Sequence, residues 1–388
     1  MSESFPKSAG FRCPRGFTLV EVIVAMALTL ILLALAFTFL DQLYNTTDLA
    51  GTMADVNENL RAAVNVISRD LSTSGWQVPQ AGILIPSGTG TTAIKMPGLG
   101  PSCSPTPCTF PANGGYMGII TPGPGMGPST TSGTANLTWS VLQTTPVVES
   151  AVPTDQITMI SVNPLSALTT ASLTGTALTG LTVTTGAGGV ATVTTPTNIV
   201  AAGASQVLPG QLIMLQTATG TCLLTVTATP TTNAGPPVSY TMTFKNGDPN
   251  DVLGLNQFLA SPVTGTVVQL NAAGTPPTTS TYAYPVNMVT YYLDTSTPQQ
   301  RLMRQLGTAT AQPVALGINV LQFSYSLDPP ATPTDPTRSP ATLNTIRKVN
   351  LWVVAKADHP NRKSGRYFAN SIATSVAIQN LAYSNQFP

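Results

Sequence analysis

The hydropathy pattern divides the chain sharply. Residues 17–40, FTLVEVIVAMALTLILLALAFTFL, form an apolar run with a single charge, Glu21. At about 1.5 Å per residue a helix over this run spans roughly 36 Å, enough for the hydrocarbon core of a bilayer. Residues 1–16 ahead of it are polar and carry Lys7, Arg12 and Arg15. A basic flank stays cytoplasmic, so the rest of the chain is expected on the far side of the membrane. Past the apolar run, residues 41–75 contain no Pro, and Met53, Val56, Leu60, Val64, Ile67 and Leu71 recur at spacings of three and four. That spacing predicts one apolar stripe on an amphipathic helix. Gly75, with Pro79 just beyond, predicts its end. A single helix from Phe17 to about Ser74 is the expected arrangement. Gly51 is its weak point, and Arg69 and Asp70 read as solvated charges.

From Trp76 onward the pattern changes to short Thr/Val-rich or apolar runs broken by Gly and Pro. Gln156–Val162, Gln211–Gln216, Thr221–Thr229 and Val238–Phe244 read as strands, as do Ala81–Ile85, Tyr116–Thr121, Leu137–Gln143, Gly180–Thr185 and Thr264–Leu270. The last quarter is better patterned. Asn287–Leu293, Arg301–Gln305, Leu321–Tyr325 and Val349–Ala355 are expected strands, the last lying against the helix stripe. Residues 326–342 are Pro-rich and read as a loop, as does His359–Lys363 with Arg366 starting the return. Residues 163–205 carry no charge and read either as surface strands of an inserted subdomain or as a weakly ordered insertion. The expected fold is therefore α+β. Residues 1–16 are a leader, 17–40 a transmembrane segment, 41–75 its amphipathic continuation, and 76–388 a β-rich globular body.

Composition narrows the chemistry. Charged residues make up 8% of the chain, net charge is +1 and there is one His, His359. A general basic field for nucleic acid is excluded, and His-centred catalysis or a His-rich metal site is disfavoured. The sequence holds no phosphate-binding Gly loop with Lys, no HExxH and no nucleophile elbow with a usable His. Asp248, Asn250 and Asp251 could approach a cation, but the rest of a calcium loop is missing, so a polar turn is expected. No enzyme, cofactor or metal is expected. Cys13 lies in the leader. Cys103 and Cys108 bracket four residues and, if exported, are expected to form a small disulfide loop. Cys222, beside Leu223 and Leu224, is expected to be buried and free.

Glu21 poses the central question. A carboxylate four residues into an apolar run is costly in lipid and needs a partner, and the run itself offers no cation. A cut between Gly16 and Phe17 would create one, the new amino group of Phe17, available to Glu21 of a neighbouring subunit. Arg15-Gly16-Phe17-Thr18-Leu19-Val20-Glu21 resembles the class III signal of type IV pilins and pseudopilins. The resemblance implies cleavage after Gly16 by a prepilin peptidase, methylation of the Phe17 amine, and a role for Phe17 and Glu21 in assembly. It also implies an inner-membrane subunit with its body outside the cytoplasm. Its partners would be the lipid bilayer, other major and minor pilins or pseudopilins, and an inner-membrane assembly platform. The body, through Val289–Leu293, Arg301–Arg304 and Val349–Asn380, is similar to PilW-type minor pilins and to the type II secretion pseudopilin J. A different reading stays open: Ala34-Leu35-Ala36 matches a conventional signal-peptide site, with cutting before Phe37 and release of an exported β-rich adhesin or binding protein.

Overall fold

The computed structural model describes residues 18–86, 94–96, 116–123, 125, 154–162, 176–178, 181–184, 189–195, 198–201, 206–217, 220–235, 238–257, 281–297, 299–328, 336–362, 365 and 367–383. Helix α1, Leu19–Thr73, is unbroken and about 82 Å long at the standard rise. From Thr18 to Tyr44 every residue is exposed. Further along, Val56, Leu60, Ala63, Ile67 and Leu71 are buried. The apolar stripe thus begins one turn later than the sequence pattern suggested: Met53 lies at its edge and is 36% exposed, and Val64 is half-buried while Ala63 takes the buried position.

The helix ends where the sequence placed its end. Ser74 is the C-cap, its backbone N–H returning to the Leu71 carbonyl. Gly75 follows with φ +76°, and its N–H donates to the Ile160 carbonyl at 2.8 Å. A Cβ here would stand 2.8 Å from Ile119 Cγ2. Only glycine combines this left-handed turn with so close an approach of the helix end to the sheet.

Every strand pairing among the described residues is antiparallel. Strands β1 (Ile83–Leu84) and β2 (Tyr116–Met117) form a small ribbon. The largest sheet is built on β12, Thr281–Asp294. Its C-terminal half pairs with β13 (Arg301–Leu306) on one side and β4 (Gln156–Val162) on the other; β14 (Gln312–Leu316) and β3 (Ile120–Gly123) extend the two flanks. Its N-terminal half pairs with β5 (Thr176–Leu178) and β8 (Leu212–Thr217), which continues to β9 (Gly220–Thr225). A four-stranded sheet has the order β10 (Ala228–Asn233), β11 (Ser239–Lys245), β7 (Val190–Thr195), β6 (Leu181–Thr184). The C-terminal sheet is β15 (Ile318–Leu327), β16 (Ile346–Pro360) and β17 (Tyr367–Ala377), followed by the short helix α2, Gln379–Tyr383.

Two apolar cores result. The main one joins the α1 stripe to β16, whose Val349, Leu351, Val353 and Ala355 alternate inward, and to Ile160, Met288 and Tyr291 of the large sheet. α1 packs on β16 as expected, and also on β17, which the sequence reading did not assign as a strand. The second core lies between β7, β9 and β11, with Ala191, Val193, Cys222, Leu224, Met242 and Phe244 fully buried. Part of the charge-free stretch 163–205 therefore builds a core through β7 rather than forming only surface strands. Cys222 is buried and free, and burial pushes its thiol pKa up, which makes it unreactive.

Several sequence expectations are corrected. Thr221–Thr229 splits into β9 and β10 around Val226–Thr227, and neither β14 nor β17 had a strand assigned to it. Strand β16 runs through His359 and Pro360, so the expected loop is shorter. The cysteines at 13, 103 and 108, the segments 137–143 and 264–270, Lys363 and Arg366 lie outside the described residues.

Candidate assembly site

The N-terminal end of α1 is shaped by Thr18 and Glu21. Thr18 is the N-cap; its hydroxyl accepts from the Glu21 N–H at 3.3 Å. Glu21 Oε2 in return accepts from the Thr18 N–H and from the Thr18 hydroxyl, each at 3.0 Å. This is a reciprocal capping box, which satisfies helix-end donors and places an acidic group at the positive end of the helix. The Thr18-Leu19-Val20-Glu21 spacing carries that signal in the sequence, where attention to charged partners alone missed it. Glu21 therefore has local donors but no cation among the described residues, and no bond engages Oε1. Gly16, Phe17, Lys7, Arg12 and Arg15 lie outside the described residues.

Behind this end the helix surface is almost wholly apolar. The helix is long and apolar enough here to cross a membrane, and none of that stretch is buried inside the protein. Leu19, Leu30, Leu32 and Phe39 are each about two-thirds exposed or more. Such a surface needs lipid or other helices against it.

The opposite end is locked to the body by charge. Asp70 is not solvated: its side chain is 10% exposed and reaches β12 and β13. Tyr291 donates its hydroxyl to Asp70 Oδ2 at 2.7 Å, and Arg304 Nε donates to the same oxygen at 2.7 Å. Arg304 Nε also lies 3.1 Å from the Tyr291 hydroxyl. Tyr291 and Arg304 are register partners across the β12–β13 pair, so one cross-strand position presents both groups to the helix. Burial and the Asp70 carboxylate together push the Tyr291 phenol pKa up. The last turn of α1 contains no basic residue of its own, and Arg304 supplies the positive charge that this end of the helix dipole favours.

Two further buried carboxylates hold loops rather than ligands. Asp155 accepts from the backbone N–H groups of Phe323 (2.9 Å) and Gly125 (2.8 Å) and pairs with Arg338, fixing part of the Pro-rich 326–342 segment to β15. Asp251 accepts from the Thr225 hydroxyl (2.9 Å) and from the Leu255 (3.0 Å) and Asn256 (2.7 Å) N–H groups. The Asn250 N–H donates to Asp248 (3.0 Å). The Asp248–Asp251 segment is thus a polar turn whose buried carboxylate is saturated by its own chain.

Burial raises the Asp251 pKa above its ordinary value. Its contribution to stability is therefore fully present below the unfolded value near pH 4 and is lost as pH rises through the higher folded value. The expected result is that the stability difference between wild type and Asp251→Asn shrinks as pH rises above about 4. Urea midpoints taken across that range check it.

Residues 12–37 match the prokaryotic N-terminal methylation motif. This span contains Gly16, Phe17 and the Thr18–Glu21 capping box, and it supports a type IV pilin-like class III signal. At its N-terminus the chain is type IV pilin- or pseudopilin-like. A motif of this kind implies processing by a prepilin peptidase and contact with other pilins in general terms. Together with the one helix among the described residues that is long and apolar enough to cross a membrane, it is compatible with anchoring in the inner membrane. No curated protein and no solved structure shows significant similarity to the chain.

Proposed function

We propose that this protein is a minor pilin-like structural subunit, of the PilW type, that takes part in assembly or initiation of a type IV pilus and carries out no catalysis. The observation that carries the reading is the coincidence of the methylation motif with an exposed apolar helix that continues unbroken into the body. In this reading a prepilin peptidase cuts after Gly16 and the Phe17 amine is methylated. Residues 17–40 wait in the inner membrane with the body outside the cytoplasm. On assembly, the Phe17 amine of one subunit pairs with Glu21 of its neighbour. Glu21 Oε2 remains held by Thr18 while Oε1 takes the incoming cation. The size of the body suits a subunit at the tip of a filament, where it limits or directs growth.

The test is an intact-mass and N-terminal peptide analysis of membrane-extracted protein. A mature N-terminus at Phe17 carrying one extra methyl supports the proposal. An N-terminus at Phe37 overturns it in favour of a released exported protein. Glu21→Ala is expected to leave the cut and methylation in place while sharply reducing recovery of the protein in sheared filaments. Unchanged recovery would remove the pairing from the mechanism.

A further inference from the structure

We infer that the recess beyond the C-terminal end of α1 is a binding site for a peptide carboxylate carried beside an apolar side chain. The recess has a volume of about 580 Å³. That lies within the range of small-ligand pockets and suits the last one or two residues of a polypeptide. Its floor is the large sheet, where Leu306, exposed, gives apolar surface beside the buried Met159 and Val289. Trp76 stands at the rim, 54% exposed.

Arg304 supplies the positive charge of the recess. Its Nε is spent on Asp70 and Tyr291, which fixes the plane of the guanidinium. Its two terminal nitrogens have no partner among the described residues, although the side chain is only 24% exposed. A guanidinium held along one edge offers the other as a fork for a carboxylate. Asp70 does not cancel this charge, because Arg69 Nε also approaches it, at 3.5 Å from Oδ1. Two guanidinium groups thus share one carboxylate, leaving a local charge of about +1. Asn287, exposed on β12 four residues along the strand from Tyr291, adds an amide donor at the far side of the same recess. The hydroxyls of Ser72, Thr73 and Ser74 spend their hydrogens on carbonyls of the helix's own last turn. One net positive charge over an apolar floor matches a monoanionic carboxylate with an apolar neighbour better than a phosphate.

The inference stands apart from the assembly reading and is tested on the full-length protein in detergent micelles. The probe is acetyl-Ala-Ala-Phe with a free carboxylate, titrated against tryptophan fluorescence, with its C-terminal amide and inorganic phosphate in parallel. The free acid is expected to give a saturable change that Trp76→Phe abolishes, and the amide to bind about ten-fold more weakly, as loss of a charge-assisted hydrogen bond implies. Asn287→Asp, an exposed change outside the Asp70–Tyr291–Arg304 cluster, is expected to weaken the acid by about ten-fold or more with the urea midpoint unchanged. Equal binding of acid and amide, no saturable response at millimolar peptide, phosphate binding as tightly as the acid, or full affinity in Asn287→Asp would each overturn it.

Discussion

Ile67→Ala is expected to destabilise the body by about 2–5 kcal/mol, the cost of truncating a large aliphatic side chain in a core that cannot collapse around the gap. Ile67 is fully buried in the middle of the α1 stripe, between Ala63 and Leu71, and the stripe is the one apolar surface that α1 gives to the C-terminal sheet. Neither side is free to close the cavity, since the helix is continuous and the sheet is hydrogen-bonded across three strands. Urea unfolding of detergent-solubilised protein measures the effect. Leu33→Ala is the internal control. Leu33 belongs to the same helix and is 55% exposed, so its truncation is expected to change body stability by less than about 0.5 kcal/mol. Equal losses from both would mean that the helix, not its packing, sets the stability.

Asp70→Ala is expected to cost about 3 kcal/mol, the lower end of the range for removing one partner of a buried ion pair. Arg304 keeps some access to water, which moderates the penalty, but Tyr291 is fully buried and would lose the acceptor of its hydroxyl. The accompanying variants separate the contributions. Tyr291→Phe removes one hydrogen bond and is expected to cost about 1 kcal/mol. Replacing Asp70 and Arg304 together with Leu and Met is expected to cost less than Asp70→Ala alone, because no charge is then left unpaired. A double variant worse than the single one would show that the pair contributes more than mutual compensation. Urea midpoints of the four proteins decide between these outcomes.

The helix was legible because its signals are local. An apolar run, a three- and four-residue stripe and a terminal Gly each act within a few residues, and they placed the element to within two residues at each end. Strand Ser239–Lys245 was legible through alternation, and Gln156–Val162 and Arg301–Leu306 as short apolar runs bounded by turn residues. Longer β12 and β16 were read too short, since Pro285 inside β12 and the polar end of β16 mimic breaks that long-range pairing overrides. Asp70 was misread for a similar reason. Nothing near it in sequence distinguishes a solvated aspartate from one whose partners lie more than two hundred residues away, at Tyr291 and Arg304. Glu21 was recognised by its cost in lipid, whereas its hydrogen bonds required the Thr-x-x-Glu spacing to be read as a cap.

The make-up of α1 between its anchor and its packed stripe has a mechanical consequence. Asn45, Thr46, Thr47 and Thr52 turn their side chains back onto carbonyls of the preceding turn, and a Cβ at Gly51 would meet no packing neighbour within 4 Å. These are poor helix formers, and hydroxyls bonded in this way weaken and bend the backbone ladder. Thr29 and Thr38 make the same kind of back-bond in the apolar half. Residues 45–52, however, also hold the one Gly of α1 and are expected to unwind first when the body is pulled away from the apolar end of the helix. Eight residues lengthen from about 12 Å in helix to roughly 26 Å when drawn out. Unwinding of this stretch would therefore lengthen the subunit by about 14 Å under load.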